Sequence, residues 1–232
     1  MSSTMSDSRR QTNLDMAHDG VATRVILQPI AAPSILGLFG FAGATFIVAS
    51  NMAGWWGTPT SGLALAPFAA MFGGLAQFLA GMWAFRARDA IATAMHGMWG
   101  AFWLAYGILN IIVAAGALDA PTPWFHDPEL GFWFLALGAI TASGFLASLA
   151  ESLSLAAVLG TLAAGSGIAA GAFIYGSHGW VEVAGWVFVI SAGLAWYTAT
   201  ALFKWKRGQR PGPAAGGPIE LEWAEPGVKM GQ

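Results

Sequence analysis

The chain has 232 residues, of which 56% are hydrophobic and 9% are charged; its formal net charge is -2 and it contains no cysteine. An average soluble domain carries about 25% charged residues, so this composition excludes an ordinary water-soluble domain and is typical of a membrane protein. The absence of cysteine excludes disulfides and thiolate metal sites.

The first 30 residues contain several charged side chains and no apolar run of signal-peptide length. They predict a polar cytoplasmic tail over residues 1–32 rather than a cleaved leader. Six nearly uncharged stretches follow, each with the roughly 20 residues that a helix needs to cross a bilayer: 34–53, 62–85, 90–114, 130–150, 153–175 and 180–203. The sequence predicts an all-α membrane domain over residues 33–206 and a flexible cytoplasmic tail, rich in Pro and Gly, over residues 207–232.

The basic residues are distributed unevenly. All ten Lys and Arg lie in the two tails or in the loop between the second and third stretches, and the first, third and fifth loops have none. Basic residues accumulate on the cytoplasmic side of membrane proteins. The pattern therefore predicts cytoplasmic N and C termini, and we expect a multi-pass protein of the plasma (inner) membrane.

Polar side chains inside a bilayer usually face the protein interior or a water-filled path. Stripes that contain such side chains, spaced by three or four residues, occur on three predicted helices. The third helix carries His96, Trp99, Trp103, Gly107 and Asn110; the sixth carries Glu182, Trp186, Gly193, Tyr197 and Thr200; the first carries Ser34, Gly37, Phe41, Thr45 and Val48. They predict a narrow path, lined by aromatic and neutral hydrogen-bonding groups, without a fixed positive charge.

One amide lies in the middle of the second apolar stretch. Gln77 shares a helix face with Gly73 and Gly81, which predicts a close, dry helix contact where the amide finds a partner across the bundle. His96 is the one histidine well inside a predicted helix, and it is either an interhelical hydrogen-bonding group or a proton carrier. A haem held by two histidines would need a second such histidine.

Enzyme chemistry finds little support in the sequence. There is no HExxH, no P-loop and no pair of carboxylates within the membrane stretches. The basic residues are few and flank the apolar stretches, which disfavours nucleic-acid binding. We therefore expect no catalytic residue, no metal site, no cofactor and no nucleic-acid partner.

Four segments carry a resemblance to a known family: "LGLFGF" from Leu36, "FGGLAQFLAG" from Phe72, "GAFWL" from Gly100 and "AGWVFVISAGLAWYTA" from Ala184. Together they resemble the acetate uptake transporter family, which includes bacterial succinate-acetate permeases and yeast acetate and ammonium transport proteins. Gln77 falls on the family's own glutamine. The signature at the start of the first helix is altered, because Ala32 stands where the family has asparagine and Ile35 where it has proline.

The resemblance implies a six-helix protomer that assembles as a homo-hexamer in the lipid bilayer, with a path through each protomer. It implies a small carboxylate as substrate, acetate above all and succinate in some members, moved with protons or down the anion gradient. It also implies a constriction formed by Phe41, Leu162 and Trp99, which replaces the family's tyrosine. The larger indole leads us to expect that succinate is excluded.

Three functions therefore stay open at this stage. The first is a permease for acetate and other short monocarboxylates. The second is a channel for ammonia, ammonium or another small neutral solute, since the predicted lining lacks fixed cations. The third is a membrane assembly protein without transport, in which the stripes serve packing alone. In the first case Gln77, His96, Asn110 and Tyr197 either line the path or order the bundle around it.

Overall fold

The computed structural model describes residues 30–58 and 60–208, with side chains as far as Leu202, so the predictions for the two tails lie largely outside the described residues. Six helices are long and apolar enough to cross a membrane, and no strand occurs in the described ranges. In chain order they are α1 (Pro33–Met52), α2 (Ser61–Ala87), α3 (Ala90–Ala114), α4 (Pro128–Ser148), α5 (Leu153–Tyr175) and α6 (His178–Gly208). The predicted six-helix all-α fold is confirmed, and the cytoplasmic placement of the termini stays a prediction.

Side-chain caps fix where three of the helices begin. Asp89 accepts a hydrogen bond from the backbone N–H of Ala92 at 2.8 Å, and Asp127 accepts one from Leu130 at 3.0 Å. Ser152 does the same more loosely at the start of α5. Each cap satisfies a backbone donor that has no partner within the helix, so the polar residues between the apolar stretches set the helix limits.

The second helix is not regular along its length. It contains Pro67, and the segment Ala70–Ala76 is a π-helix before the α-helix resumes over Gln77–Ala87. Insertions of this kind are found frequently at functional sites. Gln77 is therefore the first residue after the irregular segment, a position that its sequence pattern did not indicate.

The six helices form a closed ring. Each helix packs against its neighbours in the sequence, and α6 packs against α1 to complete the circle; the contact between α3 and α4 is the least extensive in the ring. Buried side chains from α1, α3, α4, α5 and α6 meet in one apolar cluster in the middle. We call the end where α1 begins and the α2–α3 turn carries Arg86 and Arg88 the basic end, and the opposite one the loop end.

Glycine allows two of these helix contacts to be very close. A Cβ atom at Gly81 would lie 2.8 Å from the backbone nitrogen of Gly97, and one at Gly185 would lie 2.5 Å from the backbone nitrogen of Ala53. In a bilayer, helices associate through this kind of close packing because burial of apolar surface gives little advantage. The structure thus has Gly81 in a close helix contact, as its sequence pattern predicts.

We expect Gly81→Ala to lower the melting temperature of the detergent-purified protein by about 5 °C. The added methyl group meets backbone atoms of α3, which cannot rotate away, and overpacking costs about 1–3 kcal/mol. The matched control is Gly43→Ala, whose Cβ would make an ordinary 3.7 Å contact with the ring of Phe72. Alanine is the better helix former, so this control should melt at the wild-type temperature or above; equal melting of the two variants would contradict the packing argument.

Candidate functional site

A central cavity of about 200 Å³ lies inside the ring and extends from mid-bundle to the loop end. All six helices contribute to its wall. Aromatic and aliphatic side chains dominate, and the neutral polar groups come mainly from α1 and α3. No Lys, Arg or His is among the described residues that line it, and the one carboxylate, Asp127, caps α4 near the loop end.

The cavity ends in mid-bundle at Trp99 and Leu162. The ring of Phe41 packs against the indole of Trp99, with centroids 6.2 Å apart and planes at 72°. Phe41, Trp99 and Leu162 are only 3%, 3% and 2% exposed and belong to one apolar cluster. The structure therefore brings together the three residues that the resemblance assigned to a constriction, and we call them the floor.

Trp99 is held in place by α4. Its indole Nε1–H donates a hydrogen bond to Oγ1 of Thr141 at 2.9 Å, and the Thr141 hydroxyl donates in turn to the carbonyl of Leu137 at 2.6 Å. Phe102 packs edge-on against the same indole. A buried indole N–H needs a partner, and Thr141, which is fully buried, is the partner that the sequence analysis missed.

A signal for Thr141 does exist in the sequence. In the predicted fourth stretch, Thr141 and Ser143 are the polar residues nearest the middle of the bilayer. Ser143 donates to the backbone of its own helix on an exposed face, whereas Thr141 faces the bundle. Thr141 belongs to no stripe, because a single polar residue gives no period.

Helices α1 and α3 run in the same direction, and pairs of their residues lie at the same depth in the bundle. At the floor, Phe41 of α1 meets Trp99 of α3. Residues 45 and 103, four positions further along each helix, line the cavity as Thr45 and Trp103. On the other side of the floor, the position of a Cβ at Gly37 would fall 2.5 Å from the imidazole of His96, so the missing side chain makes room for that ring.

Four buried side-chain atoms among the described residues have no hydrogen-bond partner: Thr45 Oγ1, Gln77 Oε1, His96 Nδ1 and Trp103 Nε1. All four residues are on α1, α2 and α3. An unsatisfied buried polar atom costs about 1–3 kcal/mol, and each such atom in a native structure calls for an explanation. Thr45 and Trp103 line the cavity with other atoms of their side chains, because the two unpaired atoms themselves are buried.

The polar residues predicted to line the path or order the bundle have different positions. Asn110 lines the cavity, and its Nδ2 donates to the carbonyl of Tyr106 at 2.9 Å. Gln77 and His96 are buried, at 2% and 6% exposure, but are not part of the cavity wall. The carbonyl oxygen of the Gln77 amide, expected to bond across the bundle, has no partner.

Tyr197 does not line the cavity. It is 65% exposed on the outer face of α6, as is Trp186 of the same predicted stripe at 50%. Val181, Ala184 and Phe188 form the buried face of α6 instead. The placement of this stripe on the path is therefore corrected, because aromatic side chains are compatible with lipid and their periodicity does not tell the inside of a bundle from its outside.

An apolar chamber inside the ring, with a few neutral hydrogen-bonding groups, suits binding and passage of a small solute. Among the described residues there is no group of three or more His, Cys, Asp or Glu that could hold a metal ion. A closed six-helix ring around a chamber that ends at an aromatic floor defines the class of a small-solute membrane transport protein.

The chain belongs to the GPR1/FUN34/yaaH family, which it matches over residues 17–208. The Escherichia coli K12 succinate-acetate/proton symporter SatP is 28% identical over 170 residues, which cover 73% of this chain and 87% of that protein. Ammonia transport outward protein 2 of Saccharomyces cerevisiae is 29% identical over 177 residues, covering 74% of this chain and 61% of its own length. The structure of the bacterial acetate channel SatP superposes with a TM-score of 0.71 at 23% identity, covering 81% of this chain and 100% of the other.

These comparisons confirm the resemblance found in the sequence motifs and the interpretation of the chain as a membrane transport protein rather than an enzyme. The likeness to the solved channel extends the agreement to the fold of the six helices. The roles of individual residues in the floor and the cavity rest on the geometry described above.

We expect Thr141→Val to destabilise the protein by about 1–3 kcal/mol, because it leaves the buried indole N–H of Trp99 without an acceptor. The melting temperature should fall by several degrees. Ser143→Ala, which removes an exposed hydroxyl from the same helix, serves as the control and should have no effect. In the double variant Trp99→Phe/Thr141→Val both partners are gone, so the loss should be smaller than the sum of the single losses; strict additivity would argue against the hydrogen bond.

Proposed function

We propose that the protein is a permease for acetate and other short monocarboxylates, which cross the bundle through the central cavity and the floor. The observation that carries the proposal is a chamber of about 200 Å³ that stops at three apolar side chains in mid-bundle. The relatives named as a succinate-acetate/proton symporter and an acetate channel support acetate as the substrate. A two-carbon acid fits a chamber of this size with room to spare.

The floor decides in which form the acid crosses. An ionised carboxylate that passes between Phe41, Trp99 and Leu162 loses its water and finds no fixed cation among the described lining residues. Desolvation of a charge without a partner is very unfavourable, and a carboxylic acid in its neutral form avoids most of that penalty. We therefore propose that acetate crosses the floor together with a proton.

The floor also has to open during transport. Its three side chains are 2–3% exposed, so the path is closed in mid-bundle in this structure. Trp99 is fixed by its bond to Thr141, whereas no hydrogen bond constrains the side chains of Phe41 and Leu162. We propose that these two side chains rotate to admit the acid while the indole stays in place and sets the width.

A second candidate function is passage of ammonia or ammonium. The neutral lining of the described cavity favours it, and one relative is named as an ammonia transport protein. Competition by acetate separates the two. Unlabelled acetate should inhibit uptake of labelled acetate in a short-acid permease or in a protein that carries both solutes. In a dedicated ammonia channel, acetate should not change the flux of ammonia.

We further propose that the protein works as a homo-oligomer in the plasma membrane. Large apolar side chains cover the outer faces of the helices, including Trp133, Leu146 and Trp196 at 65%, 66% and 55% exposure. Such surfaces need lipid or another copy of the chain as their surroundings. The third reading, an assembly protein without transport, is less well supported because packing alone does not require an internal chamber.

We expect proteoliposomes that contain the purified protein to take up labelled acetate in a saturable manner, faster with an inward proton gradient than without one. The passive leak of neutral acetic acid into empty liposomes at the same gradient is the control. Saturable flux that ignores the gradient would refute proton coupling and leave an anion path. Flux equal to the leak would refute acetate transport and favour passage of ammonia or an assembly role instead.

We expect Trp99→Ala and Leu162→Ala to widen the floor and raise the uptake of succinate relative to acetate by about tenfold. Pockets that discriminate by size alone yield factors of this order. Trp133→Ala removes an equally large side chain from the outer face of α4 and should keep the wild-type ratio. An unchanged ratio in both floor variants would show that substrate size is selected elsewhere.

A further inference from the structure

We propose that the loop between α3 and α4, residues 115–127, is a lid on the loop end of the chamber and that the imidazole of His178 holds it in place. The inference rests on the proposed function, because a lid matters only to a chamber that a solute enters. Three residues of this loop, Ala120, Pro121 and Trp124, line the chamber. A non-helical segment therefore forms part of the chamber wall at the loop end.

The loop has few attachments to the rest of the protein. All residues from 114 to 123 are exposed, and Trp124 and Phe125 are the first half-buried side chains after α3. The backbone hydrogen bonds of residues 115–126 stay within the loop or return to the end of α3. Over the whole described loop, the one backbone bond to a helix that the loop does not itself join runs from the N–H of Asp127 to the carbonyl of Phe173, at 3.2 Å.

His178, the first residue of α6, lies against both half-buried aromatic side chains of the loop. The centroid of its ring is 5.5 Å from that of Trp124 and 5.3 Å from that of Phe125, with planes at 86° and 75°. The rings of Trp124 and Phe125 also meet edge-on, at 5.9 Å. Ring pairs in this arrangement are stabilising beyond the area they bury. We call His178, Trp124 and Phe125 the latch.

The imidazole of the latch has a second neighbour on its own helix. Its Nδ1 lies 3.5 Å from Oε1 of Glu182, one turn further along α6, and the two form an ion pair when the imidazole is protonated. Both side chains are about half exposed, and ion pairs at such positions contribute little to stability. The ring contacts therefore carry most of the hold on the loop.

A segment with so few attachments can open while the helices stay folded. Low density of buried apolar contacts marks the parts of a protein that open locally. At the α3 end, Gly116 has a φ of +72° and open space around the position of a Cβ; at the other end, Asp127 caps α4. Separation of the two aromatic rings from His178 would lift the loop from the chamber. The floor and the lid would then control the two ends of the chamber separately.

The chain contains no cysteine, so a single introduced thiol reports on access to the chamber. Leu63→Cys places it on the chamber wall, and Thr58→Cys places it on the exposed surface of the loop end. The measurement is the rate of modification by a water-soluble thiol reagent in the detergent-purified protein. Each cysteine variant is combined with His178→Ala, which removes the ring of the latch, with His178→Phe, which keeps a ring, and with His126→Ala, the matched histidine control in the same loop.

We expect His178→Ala to raise the modification rate of Leu63→Cys about tenfold, as loss of two aromatic contacts predicts. His178→Phe and His126→Ala should leave that rate near the wild-type value, and the rate at Thr58→Cys should be the same in every background. An unchanged rate at Leu63→Cys in His178→Ala, or an equal increase at Thr58→Cys, would overturn the lid. Equal rates in His178→Phe and His178→Ala would overturn the role of the ring contacts.

A disulfide tests whether the lid has to move during transport. A Cβ at Gly176 would lie 3.2 Å from that of His126, near the roughly 3.5–4.5 Å found in disulfides. His126→Cys/Gly176→Cys therefore joins the lid, one residue from the latch, to the turn between α5 and α6. Oxidation should reduce the uptake of labelled acetate by proteoliposomes to the passive leak, and a reductant should restore it. The two single variants, of which Gly176→Cys carries the same backbone strain at a φ of +66°, should respond to neither reagent.

The outcomes separate the lid from the proposed function. Saturable uptake that persists in the fully cross-linked protein would overturn the lid and leave transport standing. Modification of Leu63→Cys that follows the latch variants, in a protein with no acetate uptake above the leak, would support the lid and refute acetate transport.

Discussion

The hydrogen bond from Trp99 to Thr141 is the interaction on which the arrangement of the path depends. It spans the contact between α3 and α4, which is the least extensive in the ring, and so it joins the two helices where packing contributes least. By fixing the indole in mid-bundle, it gives Phe41 a surface to pack against. The chamber ends where this pair lies.

Large aromatic side chains can occupy the middle of a narrow six-helix bundle only if small residues face them. Gly73 faces Trp103, Gly37 faces the imidazole of His96, and Gly165 faces Phe188, with potential Cβ positions 2.5–2.7 Å from the ring atoms. Each glycine thus leaves free the space that the aromatic ring opposite it occupies. The abundance of glycine in this chain follows from the aromatic lining of the path as much as from close helix packing, which is the role the sequence analysis gave it.

The sequence was sufficient for the six helices, because hydrocarbon thickness and hydropathy constrain their number and length strongly. It was also sufficient for the inward face of α3, where Trp99 and Trp103 lie beside a histidine and an asparagine. The sequence did not predict which face of α6 points inward, because Tyr197 and Trp186 are exposed on its outer face. In water, the apolar stripe of a helix marks its buried face. In lipid both faces are apolar, so hydropathy does not tell the inward face of α6, which contains Ala184 and Phe188, from the outward one. Contacts between distant positions, such as that of Trp99 with Thr141, leave no periodic trace in a single sequence.

The floor connects passage with coupling on the proposed mechanism. In the chamber, which extends to the loop end, the acid can keep its charge near water, whereas the floor of Phe41, Trp99 and Leu162 disfavours that charge. The acid therefore has to gain its proton before it crosses the floor. A proton supplied from the loop end would be gained at that step, and an inward gradient would raise the fraction of bound acid able to proceed. Coupling would then require no dedicated proton-carrying side chain, which leaves His96, separated from the chamber by the floor, free to serve as a hydrogen-bonding group of the bundle.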